Sequence, residues 1–309
     1  MTTPAERYAA AKVRGQHPIT TEFIQTFDFE FDPFQVTACH AVEEGKGVLV
    51  AAPTGAGKTV VGEFAAYFAL QAGKKCFYTT PIKALSNQKY SEFVAKFGED
   101  RVGLLTGDTS INGEAEILVM TTEVLRNMLY AGSNTLTNLG CVVMDEVHYL
   151  ADKFRGAVWE EVLIHLMESV QVISLSATVS NAEEFGEWLG EVRGSTEVIV
   201  SEIRPIPLYQ HVLIGDRLVD LFREQGRINP EILGLEREAL RQVRTPRHRR
   251  ERFGESDSRL TRPDIIEKLQ RENLLPAITF IFSRAGCDAA VKQCLAAGIK
   301  LTNTEERQE

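Results

Sequence analysis

No stretch of this chain is apolar for long enough to cross a bilayer. Its longest hydrophobic runs are strand-sized, whereas a transmembrane helix needs about 20 predominantly apolar residues, so no membrane span is expected. A targeting signal is not expected either. Met1 through His17 is polar and rich in alanine and arginine, the character of a loose tail or a short helix. There is no Cys-x-x-Cys pair. The five cysteines, Cys39, Cys76, Cys141, Cys287 and Cys294, are scattered, and an odd, unpaired set predicts reduced thiols in a cytoplasmic protein rather than a disulfide framework. A basic surplus is lacking too. With 34 Lys and Arg against 43 Asp and Glu, the net charge is -9. That excludes an all-over basic, histone-like binder of nucleic acid but not a local basic groove, because only the field at the site matters.

What is present is 309 residues, of which 44% are hydrophobic, enough for about two domains with packed cores. From about Glu30 to Val200, short apolar runs alternate with helical stretches. Gly47–Ala52, Lys75–Thr79, Val102–Leu105, Glu116–Met120, Gly140–Met144 and Gln171–Leu175 are apolar at consecutive positions, the pattern of strands covered on both faces in a parallel sheet. Gly73, Gly98 and Gly190 stand where helix ends would use a left-handed cap, and Ser180-Asn181-Ala182-Glu183 has the form of a capping box. The first two-thirds therefore predicts one doubly wound α/β domain, with loops at its strand ends open to ligands.

After Arg204-Pro205-Ile206-Pro207 the character changes. Leu208–Ile214 predicts one more strand. Gly215 to about Asn273 is charged and poor in large apolar residues, with Arg237, Arg241, Arg244, Arg247, Arg249, Arg250 and Arg252 crowded into one tract. That tract is either a solvated linker or an RNA-contacting insertion. Pro276–Ser283 predicts a clear strand, and Gly286–Ala297 a helix ending at Gly298. One or two strands and a helix cannot cover both faces of a parallel sheet, so the expectation is a second domain that has only begun where the sequence ends.

Two segments carry chemistry. Ala52-Pro53-Thr54-Gly55-Ala56-Gly57-Lys58-Thr59 follows the apolar run Val48–Ala51. Backbone amides of a tight turn entering a helix bind phosphate oxygens. Gly55 and Gly57 permit close approach, Lys58 brings a point charge to the β/γ-phosphates, and Thr59 offers a hydroxyl to magnesium. Ala52 stands where the common pattern has glycine. Asp145 and Glu146 end the run Cys141–Met144. An acidic pair at a buried strand end is costly unless it serves a cation or a reaction. Asp145 would hold magnesium through water, and Glu146 would orient or deprotonate an attacking water. The bland alternatives are a chance turn and a surface acidic turn. His148 alone has the look of a satisfied loop histidine, and Ser176-Ala177-Thr178 of a helix cap. Gln35 would pair in a fork with adenine N6 and N7 and Phe29 would stack on the base, or the two are a surface amide and a core aromatic.

The order of these segments resembles that of superfamily-two helicases: Phe31-Asp32-Pro33-Phe34-Gln35, APTGAGKT, TTPIKALSNQK (Thr79–Lys89), LLTGD (Leu104–Asp108), VMTTEVLRNML (Val119–Leu129), DEVH, SAT and FIFSR (Phe280–Arg284). DEVHYLADKFRGAVWEE (Asp145–Glu161), LSATVSNAEEFGEWLG (Leu175–Gly190) and RPIPL (Arg204–Leu208) are similar to the DEVH-box branch of superkiller and exosome-associated RNA helicases, and to its actinobacterial HelY-like members. The resemblance covers residues 28–210 and 276–290. It implies a RecA-like P-loop NTPase domain over residues 21–203 after a tail at 1–20. Over 204–309 it implies a linker, a charged insertion and the incomplete start of a second RecA-like domain.

The same resemblance implies ATP and Mg2+ as cofactors, 3′-to-5′ translocation on single-stranded RNA with duplex unwinding, and RNA-decay proteins as partners. Phe29, Gln35 and the loop Pro53, Thr54, Gly55, Ala56, Gly57, Lys58 and Thr59 would bind the nucleotide. Asp145 and Glu146 would form the hydrolysis centre with Lys58. His148, Ser176 and Thr178 would couple it to strand movement. Pro81, Lys83, Thr106, Gly107, Thr122 and Glu123 would lie along the RNA backbone, with Ser283 and Arg284 opening the second domain's share of that track. Such a track reads phosphates and riboses, which suits backbone amides and small hydroxyl residues. The family's later glycine-rich motif and its glutamine- and arginine-bearing motif do not occur in these residues. An arginine finger is worth roughly 10³–10⁵ in turnover, so residues 1–309 alone are expected to bind ATP weakly and barely hydrolyse it. A DNA helicase, or a non-motor nucleotide-binding module, are the other readings. The module has no use for the motifs between Thr79 and Leu129.

Overall fold

Each of the six consecutive apolar runs between Gly47 and Leu175 forms a strand, because a residue flanked above and below by helices has no solvent side to present. The computed structural model describes residues 15–152, 155–177, 182–223, 226–244 and 260–299, and the chain divides into two compact units at Ile206. In the first unit β1 (Gly47–Ala51), β2 (Lys75–Thr80), β3 (Val102–Thr106), β4 (Thr109–Ile111), β5 (Ile117–Thr121), β6 (Leu139–Met144), β7 (Gln171–Ser176) and β8 (Thr196–Val200) form one sheet. Its order is β4-β3-β5-β2-β6-β7-β1-β8. Only the β3–β4 pair is antiparallel. This is the α/β fold expected of a RecA-like domain.

The two faces have separate cores. Val48, Val50, Tyr78, Val119, Val143, Ile173 and Leu175 pack under Phe23, Phe64 and Phe93. Leu49, Phe77, Leu118, Met120, Val142 and Met144 pack on the other face with Trp159, Val162 and Leu163. Successive residues of one strand alternate between the two layers.

Arg193, in the last turn of the Ala182–Arg193 helix, closes the second layer. Its guanidinium donates to the carbonyls of Leu166 (2.6 Å), Met167 (2.7 Å) and Val170 (2.8 Å). These oxygens follow the Gly156–His165 helix, where carbonyls lack helical partners, and the Met167 carbonyl also accepts from the Val170 N–H at 3.0 Å. Hydrogen bonds from a charged donor contribute about 1.5–3 kcal/mol each at most and are not additive. Arg193→Ala is therefore expected to lower the unfolding free energy by about 2–4 kcal/mol, measured as a reduced urea midpoint at unchanged slope.

Several expectations are corrected. Gly73 (φ 65°) and Gly98 (φ 92°) do follow helices, but Gly190 lies inside the Ala182–Arg193 helix, and Gly194 (φ 82°) follows it instead. Of the Ser180–Glu183 box, Ser180 and Asn181 lie outside the described residues. In the second unit, Leu208–Ile214 shortens to β9 (His211–Ile214), which pairs antiparallel with β10 (Arg217–Asp220) through Gly215-Asp216. The charged stretch is no bare linker. Beyond β10 it holds helices Glu231–Arg244 and Arg262–Arg271. Asn229, buried, accepts from the Glu231 N–H at 3.1 Å and donates to the Asp220 carbonyl at 3.0 Å, tying hairpin to helix. Arg247, Arg249, Arg250 and Arg252 lie outside the described residues.

Pro276–Ser283 is not a strand. Ile278, Phe280 and Phe282 stand exposed. A strand is a property of a pair, and among the described residues no segment offers it a ladder of partners. The Arg284–Ala296 helix follows it. No helix among the described residues is long and apolar enough to cross a membrane.

Candidate active site

The Ala52–Lys58 loop leaves the carboxyl end of β1 and enters the Thr59–Gln71 helix. Ala51 stands opposite Ser176 on β7, and the Ala52 N–H donates to the Ser176 carbonyl at 3.1 Å. Gly55 (φ 86°) and Gly57 (φ 80°) take a backbone conformation strained for other residues. At Gly57 a Cβ would also stand 2.6 Å from Gln35 Nε2. Lys58 Nζ folds back over the loop and donates to the carbonyls of Ala52 (2.7 Å) and Pro53 (3.0 Å). Burial pulls its ammonium below the ordinary lysine pKa, while Glu146 and Asp145 pull it back up.

Gln35 is no surface amide. It is buried; its Oε1 accepts from the Asp32 N–H at 2.8 Å and caps the Pro33–Glu43 helix. Its Nε2 donates to the Gly57 carbonyl at 3.0 Å. Both ends of the amide are thus in use, tying that helix to the glycine loop. Phe29 is half-exposed, edge-on to Phe27 and stacked on Phe31.

The acidic pair follows β6, which is separated from β1 only by β7. The Asp145 N–H donates to the Thr79 carbonyl at 3.0 Å. Its carboxylate accepts from the Tyr78 hydroxyl (2.7 Å) and from the Glu146 N–H (2.9 Å). Glu146 has φ 53°, in the left-handed region, a strain of about 1–3 kcal/mol for a residue with a side chain. His148 Nδ1 lies 3.2 Å from Glu146 Oε2 but out of line for a hydrogen bond, so both atoms are buried without a hydrogen-bond partner among the described residues. Burial, then Asp145, raises the Glu146 pKa; His148 and Lys58 act against it. Ser176 ends β7 between the two segments, and Thr178 lies outside the described residues.

A second group gathers at the ends of β2, β3 and β5. Lys83 Nζ lies 2.6 and 2.7 Å from the two Asp108 oxygens, and Thr106 Oγ1 donates to the same carboxylate at 3.1 Å. Lys83 and Thr106 hold Asp108 below the usual carboxylate range. Gly107 has open space where a Cβ would be. Thr122 Oγ1 donates to the Thr80 carbonyl at 3.4 Å. The Pro81 carbonyl accepts from Arg155 at 3.1 Å, and Arg155 Nε stands 4.0 Å from Glu123. Ser283 belongs to the second unit, where its Oγ accepts from the Gly286 N–H at 3.0 Å and caps the helix begun by Arg284.

Residues 32–185 match the family model described as DEAD/DEAH box helicase. The chain carries a DEAD/DEAH box helicase domain. It is 57% identical to the probable helicase HelY of Mycobacterium leprae (strain TN), over 93% of this chain and 33% of that protein. It is 42% identical to the DExH-box ATP-dependent RNA helicase DExH15, chloroplastic, of Arabidopsis thaliana, over 88% and 26%. It is 39% identical to superkiller complex protein 2 of Homo sapiens, over 91% and 23%. HelY-like and superkiller relatives match the DEVH-box branch expected. The chain spans about a third of the length of its HelY relatives. Among solved structures, helicase MrfA bound to DNA and AMPPNP matches 60% of this chain and 29% of its own, at TM-score 0.50 and 22% identity, a likeness of fold.

For a helicase domain the donors fit a magnesium nucleotide. Magnesium takes oxygen ligands and keeps several waters, needing one or two carboxylates besides phosphate. Here one carboxylate, Asp145, ends a strand beside a glycine loop that leads into Thr59 and a helix, and the buried Glu146 Oε2 has no hydrogen-bond partner among the described residues. Three side chains at the site carried no role in the sequence: Tyr78, Asp108 and Arg155. A tyrosine in an apolar strand signals a buried hydroxyl that needs a partner, and Asp145 is that partner. Asp108 and Arg155 lie within quoted motifs but gave no signal of what they would touch.

Proposed function

We propose that this chain carries the first motor domain of an ATP-driven helicase that moves 3′ to 5′ along single-stranded RNA and separates duplexes. The observation that carries this reading is the arrangement of two groups along the carboxyl ends of one parallel sheet, where open α/β sheets bind ligands. The Lys58 loop and the Asp145–Glu146 turn flank β7, and the Pro81, Lys83, Thr106, Thr122 and Glu123 group lies at β2, β3 and β5.

In this reading the amides of Gly55 to Thr59 and the Lys58 ammonium hold the β/γ-phosphates, with Lys58 leaving the carbonyls of Ala52 and Pro53. Asp145 and Thr59 would hold magnesium, which would supply charge neutralisation at the phosphates. Tyr78 steers the Asp145 carboxylate. Glu146 orients the attacking water and accepts its proton. His148, against Glu146, with Ser176 and Thr178, passes the nucleotide state toward the track. Phe29 stacks on adenine. Gln35 reaches the base edge by exchanging its Gly57 contact. Ser283 and Arg284 would contact nucleic acid as well. Three of the cysteines, Cys39, Cys76 and Cys141, are free and buried, which suits a reducing cytoplasm.

RNA is favoured by the name of the DExH15 relative, an ATP-dependent RNA helicase, and the superkiller relative, named as a protein of a complex, favours partner proteins, which the branch resemblance would make RNA-decay proteins. The test is unwinding of a 3′-tailed RNA duplex by the full-length protein, in competition with matched single strands. RNA is expected to compete at least about tenfold better than DNA, through 2′-hydroxyl contacts. Equal competition would move the reading to DNA, and activity on 5′ tails alone would overturn the direction.

A further inference from the structure

Arg155 joins three segments that lie far apart in sequence. It follows the turn of Val147–Ala151, and its own N–H donates to Asp152 Oδ1 at 2.9 Å. Its guanidinium crosses to the Pro81 carbonyl at 3.1 Å, 74 residues away. Its Nε lies 4.0 Å from Glu123 Oε1, in the first turn of the Thr122–Ala131 helix. The next residue fixes this reach. A Cβ on Gly156 would stand 2.1 Å from the Leu150 carbonyl oxygen, so only glycine lets the Gly156–His165 helix start this close to the turn. The segments it meets are also tied to each other without it, through Thr122 Oγ1 and the Thr80 carbonyl.

We propose that Arg155 is a positioning residue that sets the spacing between the Pro81 loop and the first turn of the Glu123 helix and links them to the acidic turn after β6. Arginine suits this because its rigid fork presents several donors at once, to a carbonyl and a carboxylate together. The side chain is half-exposed, 46%, so the ion pair with Glu123 adds little to stability. Its role is geometric. Any movement of the Asp145–Glu146 turn would reach both segments through Arg155. The inference rests on the proposed function, since it takes those two segments to be the nucleic-acid track.

The test uses the full-length protein, with oligouridylate as the RNA probe and a fluorescent ATP analogue as the nucleotide probe. Arg155→Ala is expected to raise the oligouridylate concentration giving half-maximal ATPase stimulation by roughly tenfold, within the range by which coupling residues act. Affinity for the ATP analogue should stay within about twofold. Adding Glu123→Gln should give less than the product of the two single effects, because the two side chains act as one unit. A merely structural role would instead move the unfolding midpoint and both affinities together, and that result would overturn the proposal. So would stimulation by oligouridylate unchanged in Arg155→Ala. If the parent protein shows neither RNA nor DNA stimulation, the proposed function itself falls.

Discussion

Lys58→Ala will weaken nucleotide binding by about 100-fold. The Lys58 ammonium is the positive side chain of the glycine loop, and it is held by two carbonyls of that same loop. Two neutral carbonyls are weak partners for an ammonium compared with phosphate oxygens, since charge-assisted bonds are about twice as strong as neutral ones. Burial, which already pulls the Lys58 pKa down, makes a phosphate partner more valuable, because the field of an anion is less screened there. Losing the side chain forfeits about 3 kcal/mol, on the order of 100-fold in affinity. Titration of the full-length protein with a fluorescent ATP analogue measures it. Unchanged affinity would refute the phosphate-cradle assignment. The fold itself should tolerate the change, because the loop keeps its Ala52-to-Ser176 and Gln35-to-Gly57 ties.

The central sheet was legible because its strands are buried on both faces, and double burial writes itself as consecutive apolar letters. The edges escaped for the opposite reason. β4 has three residues and one partner, and β8 mixes Thr196 and Glu197 with its apolar positions. The phosphate loop and the acidic pair were legible as chemistry because glycine, lysine and paired carboxylates are expensive where a strand ends unless they serve something. The burial of Gln35 was not legible because an amide's exposure depends on what packs over it. Here the helix it caps lies against the glycine loop.

In the second unit, the helix Glu231–Arg244 hides under charge. Its sparse apolar residues, with Leu235 buried, suffice for packing on a hairpin. The run Pro276–Ser283 fails in reverse. Its letters have strong strand propensity, but propensity supplies no partner. Arg155 was silent because an arginine's partners 74 residues away leave no local pattern.

Glu146→Gln, in the full-length protein, will preserve ATP binding and remove turnover. Gln keeps the size and can still point at a water, but it cannot take the proton, and positioned bases contribute roughly 10²–10⁴-fold. The substitution also has a signature that needs no ATP. Glu146 is held in a left-handed backbone with one carboxylate oxygen buried and without a hydrogen-bond partner among the described residues. Burial and the neighbouring Asp145 charge raise its pKa above the ordinary carboxylate value. A group whose pKa is raised by folding binds its proton more tightly in the folded protein. Below its unfolded pKa it is protonated in both states and carries no penalty. As pH rises through the folded pKa the charge is forced on the buried site, and stability is lost.

Glutamine never takes that charge. The nucleotide-free Glu146→Gln protein should therefore unfold at a higher temperature than the parent at neutral pH, with the two midpoints converging as pH falls below the carboxylate range. Stability so gained at the expense of turnover is the mark of a group kept in an unfavourable place for its chemistry. Retained hydrolysis would rule Glu146 out as the residue that activates water. Loss of hydrolysis without the neutral-pH gain would mean that Glu146 acts on water while the burial-raised pKa inferred for it is wrong.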